Sequence, residues 1–340
     1  MEGGEEVYFV RSEDGYTPKE ILRTTAAAVL WKATAKPSTP PPPSQPEKPV
    51  QILMVDADKL ECVYELTEEY KLAKRCHHEH LVGVHVSFWS KTDNRLWIVM
   101  PSVSRVSLRA MIASSPSALP EAGVGTLLRQ TLEGLDCVHA LGDRPHGNVC
   151  AGCVYMADGD FATAKLGFRE LMCERTTKRA AECWVAPELA RDPKMVHGKA
   201  ADVWTFGLFA LELVYGGKIP VSTHENVKAL LRDNFNVKAP SSSSSSSRRP
   251  SFSWKLFGRL KTKAKTKTKT VAISDLLGEV IRMCLREDPS KRPTTKQLLE
   301  HEYFKTTLSS SNNGEESVLD DKNNKMKKAL ADLLKKACTL

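Results

Sequence analysis

Apolar residues along the first hundred positions fall in short runs bounded by turn formers. Ala27–Ala33 (AAVLWKA) and Val50–Val55 (VQILMV) predict two strands, and Leu96–Met100 predicts a third that stops at Pro101. Between them, Tyr64–Arg75 fits one helix. Beyond Pro101 the spacing lengthens to that of helices, over Leu108–Ala113, 124–141, Ala201–Tyr215, Ile273–Leu285 and Thr295–His301. One interruption is a predicted hairpin: Cys153–Met156 and Ala164–Phe168 flank the turn Ala157-Asp158-Gly159-Asp160. The pattern predicts an α+β chain with a small β-rich lobe carrying one helix over 20–100 and a larger, mostly helical lobe over 101–308. Residues 1–19 precede these lobes, and a tail over 309–340 follows.

Two inserted stretches depart from this pattern. KPSTPPPPSQPEKP, 36–49, holds four consecutive prolines; a widened hairpin in the small lobe accounts for it, and an aromatic groove of a partner is the other reading. Ser241 to Ser247 is an unbroken serine run followed by KTKAKTKTKT, so 240–270 is expected to be a disordered insertion that buries too little apolar surface to offset chain entropy. That segment holds nine of the positive charges and no acid between Arg248 and Lys269; removing them from the net +8 leaves −1. The excess charge therefore argues for an anionic partner or a nuclear import patch at 248–269, and not for a specific nucleic-acid surface on the folded body. In the tail, Met326, Ala329, Leu330, Leu333, Leu334 and Ala337 lie at helical spacing among lysines, the pattern of a basic amphipathic helix.

With 340 residues and 41% hydrophobic content the chain can bury sizeable cores. No run of about 18 apolar residues is present, and the start MEGGEEVYF is acidic. Nine scattered cysteines fit reduced thiols. Together these features predict a cytoplasmic protein with access to the nucleus and no transmembrane segment. Cys76-His77-His78-Glu79-His80 and the C-x-x-C of Cys150 and Cys153 contain metal-ligand types, but zinc needs four ligands in tetrahedral reach, so no metal site is expected.

Three phrases carry a resemblance. CWVAPEL at 183–189, GKAADVWTFGLFALELVYGGKIP at 198–220 and CLREDPSKRPTTKQLLEHEYF at 284–304 resemble the closing half of a eukaryotic protein kinase. NRLWIVMPSV and LTEEYKLAKRCHHEHLV resemble, within that family, the germinal-centre (sterile-twenty-like) serine/threonine branch, including its degenerate members and plant relatives. The resemblance implies the two-lobed kinase fold, with Met100, Pro101, Ser102 and Val103 as the hinge and Glu69 as the helix glutamate, or Glu68 if the register slips. It also implies scaffold roles for Asp202, which would hold the backbone of the His146 turn, and for a Glu188–Arg292 ion pair, with Phe168 beside the loop.

Phosphoryl transfer needs close backbone amides, a phosphate-binding lysine, carboxylate and amide oxygens for Mg²⁺, and a carboxylate base. No glycine lies between Gly15 and Leu30, where the resemblance places the phosphate loop. Leu53 stands at the lysine position, leaving Lys32 as a substitute nucleotide-binding candidate. His146-Gly147-Asn148 replaces His-Arg-Asp, Cys150 and Cys153 replace the following lysine and asparagine, and Gly167-Phe168-Arg169 replaces Asp-Phe-Gly. Asp158 and Asp160 are expected on a hairpin tip pointing away from the cleft. The expectation is a pseudokinase without cofactor that engages another protein, an active kinase among the candidates. The alternatives are a weak atypical serine/threonine kinase using ATP and Mg²⁺, and a switch that binds ATP without hydrolysing it.

Overall fold

The computed structural model describes residues 9–36, 47–59, 63–114, 119–141, 144–169, 171–172, 181–192, 198–217, 219–233, 235 and 273–309. The polybasic insertion, the tail helix over 326–337, Thr176 and Thr177, and prolines 40–43 lie outside them.

Five antiparallel strands build the small lobe: β1 (Tyr16–Thr24), β2 (Ala28–Ala35), β3 (Lys48–Val55), β4 (Val86–Trp89) and β5 (Leu96–Pro101), in spatial order β1-β2-β3-β5-β4. Strand β4 was not among the sequence expectations, although the alternation Val84, Val86, Phe88 is its signature. β3 starts at Lys48, with Pro49 paired to Thr34, so the proline-rich insertion ends earlier than residue 49.

Successive side chains in a strand point to opposite faces. Leu30, Leu53 and Ile98 therefore form one cross-strand row on the inner face, where Leu66 and Ala73 of α1 (Val63–Arg75) join the same core. On the other face Trp31, Ile52, Val99 and Val86 line up, with Met54, Trp97 and Phe88 in the next row. Residues 9–15 cross this outer face. Phe9 stacks on His85 at 3.9 Å, Tyr16 donates its hydroxyl to the Val10 carbonyl at 2.8 Å, and Val10 packs against the cluster. Glu13 fastens the crossing to the β4–β5 turn by accepting from the Thr92 hydroxyl at 2.6 Å and the Lys91 amide at 2.5 Å. The hydroxyls of Thr92 and Ser90 pull its carboxyl down to about 2. The small lobe thus begins before the expected residue 20: the sheet starts at Tyr16 and the segment ahead of it covers the sheet.

The large lobe contains α2 (Leu108–Ala113), α3 (Glu121–Leu141), the antiparallel hairpin β6 (Val154–Ala157) and β7 (Asp160–Leu166), and α4 (Pro187–Arg191), α5 (Lys199–Val214), α6 (His224–Arg232), α7 (Asp275–Cys284), α8 (Thr295–Leu299) and α9 (Glu302–Ser309). Nearly every residue of α5 from Ala201 to Val214 is buried, as befits a helix apolar all round. It is the axis of the lobe, packed by α3 and α7, and α3 in turn carries α8, α9 and β7. Three helices here, α4, α6 and α9, were not among the sequence expectations; the start of α6 is set by Thr223 accepting from the Asn226 amide. Among the described residues, no helix is long and apolar enough to cross a membrane.

Candidate functional site

A cleft lies where the inner face of β2 and β3, the chain after β5 and strand β6 converge. Leu53 is fully buried there between Leu30 and Ile98, so a lysine's place is filled by core. Two residues before it on the same face, Gln51 is 1% exposed and donates its amide to the Val103 carbonyl at 2.8 Å. The hinge backbone is also engaged from below. Ser104 donates its amide to Met156 at 2.8 Å, Asp158 donates its amide to Ser102 at 3.2 Å, and Val103 bridges Ala157. Met100 is fully buried and Pro101 ends the strand.

Asp158 corrects an expectation. Its carboxylate accepts from the Ser102 hydroxyl at 2.8 Å and pairs with Lys32 at 3.0 Å, so it faces the hinge and not away from the cleft. The β6–β7 turn is the expected one, with Ala157 paired to Asp160, but Asp158 lies under the hinge, whereas Asp160 accepts from the Ala162 amide and the Thr163 hydroxyl. Lys32, the substitute nucleotide-binding candidate, is thereby neutralised at the mouth of the cleft. A second strut crosses from β1: Arg23 donates to the Tyr155 hydroxyl at 3.1 Å and to the Met172 carbonyl at 2.9 Å, and Tyr155 is 1% exposed beneath the sheet. Arg105 and Glu20 form a third link at 2.6 Å.

The opposite side of the lobes is joined through α1. Glu68 pairs with Lys71 at 3.0 Å and with Arg144, and Arg75 donates to the Leu141 carbonyl at 2.5 Å. Lys71 first, and Arg144 with it, hold the Glu68 carboxyl below its usual range. Glu69 is half-buried on α1.

The loop from His146 to Cys153 is held by two buried carboxylates, Asp202 at its start and Glu212 further on. Asp202, 2% exposed at the start of α5, accepts from the His146 amide at 2.7 Å, the Gly147 amide at 2.8 Å and His139 Nε2 at 2.8 Å. Gly147 has φ +81, a left-handed conformation that suits glycine. His146 is buried, stacks on Phe168 at 4.9 Å and accepts from the Asn148 amide, and burial pushes its pKa down to about 4, so the ring is neutral. Asn148 presents a neutral amide, 3.7 Å from the Cys150 thiol. Gly167 donates its amide to Cys153, and a Cβ added at Gly167 would come within 3.0 Å of Met172 and 3.4 Å of Tyr155. A side chain there requires Met172 and Tyr155 to give by a few tenths of an ångström. Arg169 is exposed.

Further from the cleft, the Arg292 guanidinium is fully buried and all five of its N–H groups have acceptors. It grips Glu188 through two contacts of 2.7 Å and reaches the carbonyls of Arg286, Ala200 and Glu287. Burial raises the Glu188 carboxyl, but Arg292 outweighs it and holds the pKa low. Sequence reasoning missed Arg23, Gln51 and the pair Arg109–Glu212. Glu212, 2% exposed, accepts from Arg109 at 2.5 Å and from the Ala151 amide at 2.9 Å. Its one signal was a carboxylate within the apolar run FALELV. Among the described residues, no three of the His, Cys, Asp and Glu side chains form a group that could hold a metal ion.

Three curated proteins are similar to this chain. "Serine/threonine-protein kinase fray2" of Dictyostelium discoideum is 26% identical over 304 residues, 87% of this chain and 26% of the relative. "Serine/threonine-protein kinase fray1" of the same organism is 28% identical over 265 residues, 75% of this chain and 41% of the relative. "Germinal center kinase 3" of Caenorhabditis elegans is 27% identical over 279 residues, 75% of this chain and 43% of the relative. The chain thus spans less than half the length of these relatives. A model of the protein kinase domain matches residues 48–304, which begin at β3 and include the chain after β5, strand β6 and the Glu188–Arg292 tie, while β1 and β2 precede the match. With its β-sheet lobe above a helical lobe, this chain belongs to the protein kinase domain family.

Proposed function

We propose that the chain is a catalytically inactive kinase domain that binds another protein, an active kinase among the candidates, and sets that partner's conformation or location. The observation that carries this reading is a cleft closed by the chain's own side chains. Gln51 spends its amide on the Val103 carbonyl, and Arg23 spans from β1 to Tyr155 and Met172. A nucleotide entering here has to break these bonds and gains no lysine at Leu53 and no carboxylate at Gly167 in return. General-base catalysis alone is worth about 10²–10⁴ in rate, and Asn148 cannot accept a proton in that role. A domain whose lobes are tied without nucleotide presents one constant surface, and such a surface can bias a partner only by binding one of its states better. The segment at 248–269, with its nine positive charges, is a second contact for an acidic partner.

Thermal-shift titration of the full chain tests the reading. A site filled to 100 times its Kd adds about 2.7 kcal/mol of stability. The expected result is no shift in Tm at millimolar ATP, alone or with Mg²⁺ or Mn²⁺. A metal-dependent rise in Tm that Lys32→Met abolishes overturns it and restores the weak kinase.

A further inference from the structure

The loop after His146 holds two buried thiols, Cys150 at 7% and Cys153 at 3% exposure, at the two ends of one turn. Residues Ala151–Cys153 form a single helical turn, and the Cys153 amide donates to the Cys150 carbonyl at 2.9 Å. A turn of this kind keeps the first and fourth Cα atoms within about 7 Å, inside the separation a disulfide spans. The Cys150 thiol donates to the side-chain Oδ1 of Asn148 at 3.7 Å. Arg109 is the neighbouring charge. Glu212 fixes its guanidinium from one side and Trp184 lies 5.9 Å from it on another, while the Ala151 amide ties the turn to the same Glu212 carboxylate.

The Cys153 neighbour and the Arg109 charge favour an anionic sulfur at Cys150, whereas the Asn148 contact, in which the thiol donates, favours the protonated form. Its pKa is lowered, first by the Cys153 hydrogen bond and then by Arg109, against burial and the Glu212 charge. The other described cysteines with a resolved shift move the opposite way: Cys284 is pushed up to about 12, Cys76 to about 12 and Cys183 to about 11, and Cys137 is also raised, each chiefly by burial.

We propose that Cys150 and Cys153 are a thiol–disulfide pair oxidised by hydroperoxides, with Cys150 as the attacking sulfur and Cys153 as the resolving one. The Cys150 thiolate attacks one peroxide oxygen, an S–O bond forms and the O–O bond breaks. The departing hydroxide takes a proton and leaves as water, and the sulfur, oxidised by two electrons, becomes a sulfenic acid. Cys153 then gives up its proton and attacks that sulfur; the S–S bond forms and the sulfenic oxygen departs as a second water. A dithiol reductant reverses the change. Because the turn hangs from Glu212, closing the ring acts on the same carboxylate that orients Arg109 against Trp184, next to the exposed Val185. This inference stands apart from the pseudokinase reading, since it concerns thiol chemistry and not nucleotide.

The test uses the reduced full chain, hydrogen peroxide at graded concentration, and differential alkylation followed by peptide mass spectrometry. Cys150 and Cys153 are expected to become protected together, with a loss of 2 Da, at least about tenfold faster than Cys284, the ratio for one unit of pKa. In Cys153→Ser the reaction stops at a sulfenic acid on Cys150 that dimedone captures, whereas Cys150→Ser leaves Cys153 reduced. Equal rates at Cys150 and Cys284 in the unaltered chain, or pairing of Cys150 with a cysteine other than Cys153, overturn the proposal.

Discussion

Replacing Arg292 by methionine removes the one cation that holds α4 to the start of α5 and to the turn after α7. The guanidinium satisfies five acceptors: both Glu188 oxygens at 2.7 Å and the carbonyls of Arg286 at 2.8 Å, Ala200 at 2.9 Å and Glu287 at 3.3 Å. It also lies 5.2 Å from the Trp204 ring centre. Methionine keeps the apolar stem but leaves Glu188, whose side chain is 10% exposed, as an uncompensated carboxylate. Breaking a buried pair from one side costs about 3–5 kcal/mol. At roughly 2–4 °C per kcal/mol for a domain of this size, Tm should fall by roughly 10 °C in calorimetry or fluorimetry. Arg292→Lys should recover only part of the loss, because a point charge cannot fill a planar fork. In a double-mutant cycle with Glu188→Leu the two losses should overlap by about 1 kcal/mol or more. Acid provides a second check. The folded pKa of Glu188 lies below its ordinary 4.5, so its stabilisation is complete above that value and is lost as pH falls through the folded pKa. The gap between the natural chain and Arg292→Met should narrow over that window. A loss under about 0.5 kcal/mol for Arg292→Met, or strict additivity with Glu188→Leu, refutes the reasoning.

Two further outcomes rest on other contacts. In Gly134→Ala the new Cβ on α3 would stand 2.5 Å from the His80 carbonyl oxygen, a backbone atom that cannot swing aside; urea unfolding should report a loss of about 1–3 kcal/mol, and an unchanged midpoint counts against the close approach of α3 to the loop after α1. His146 binds its proton near 4 when folded and near 6.5 when unfolded, so its contribution is whole above 6.5 and disappears as pH falls toward 4, about 3 kcal/mol in all; melting from pH 7 to 4.5 should show this slope, and a His146→Asn variant with the same slope refutes the assignment.

The hairpin illustrates what was legible and what was not. Its two apolar stretches and the Asp-Gly between them predicted β6 and β7, but the direction of Asp158 depended on Ser102 and Lys32, 56 and 126 residues away in the chain. Likewise the motif positions Leu53, Asn148, Cys150, Cys153 and Gly167 could be assigned by likeness to the kinase family, because those motifs lie in contiguous stretches. Gln51 and Arg23 could not be found this way. A glutamine in a strand and an arginine on an edge strand carry no signal of their own, and their partners stand 52 residues away at Val103 and 132 and 149 residues away at Tyr155 and Met172.

By itself the sequence determined the two lobes and the order of most strands and helices, since these follow from periodicity and residue type. Only the tertiary structure decided which side chains meet across the cleft. A side chain's hydrogen bond is settled by which distant backbone group the packed sheet and helices bring within about 3 Å of it, and no local pattern encodes that meeting.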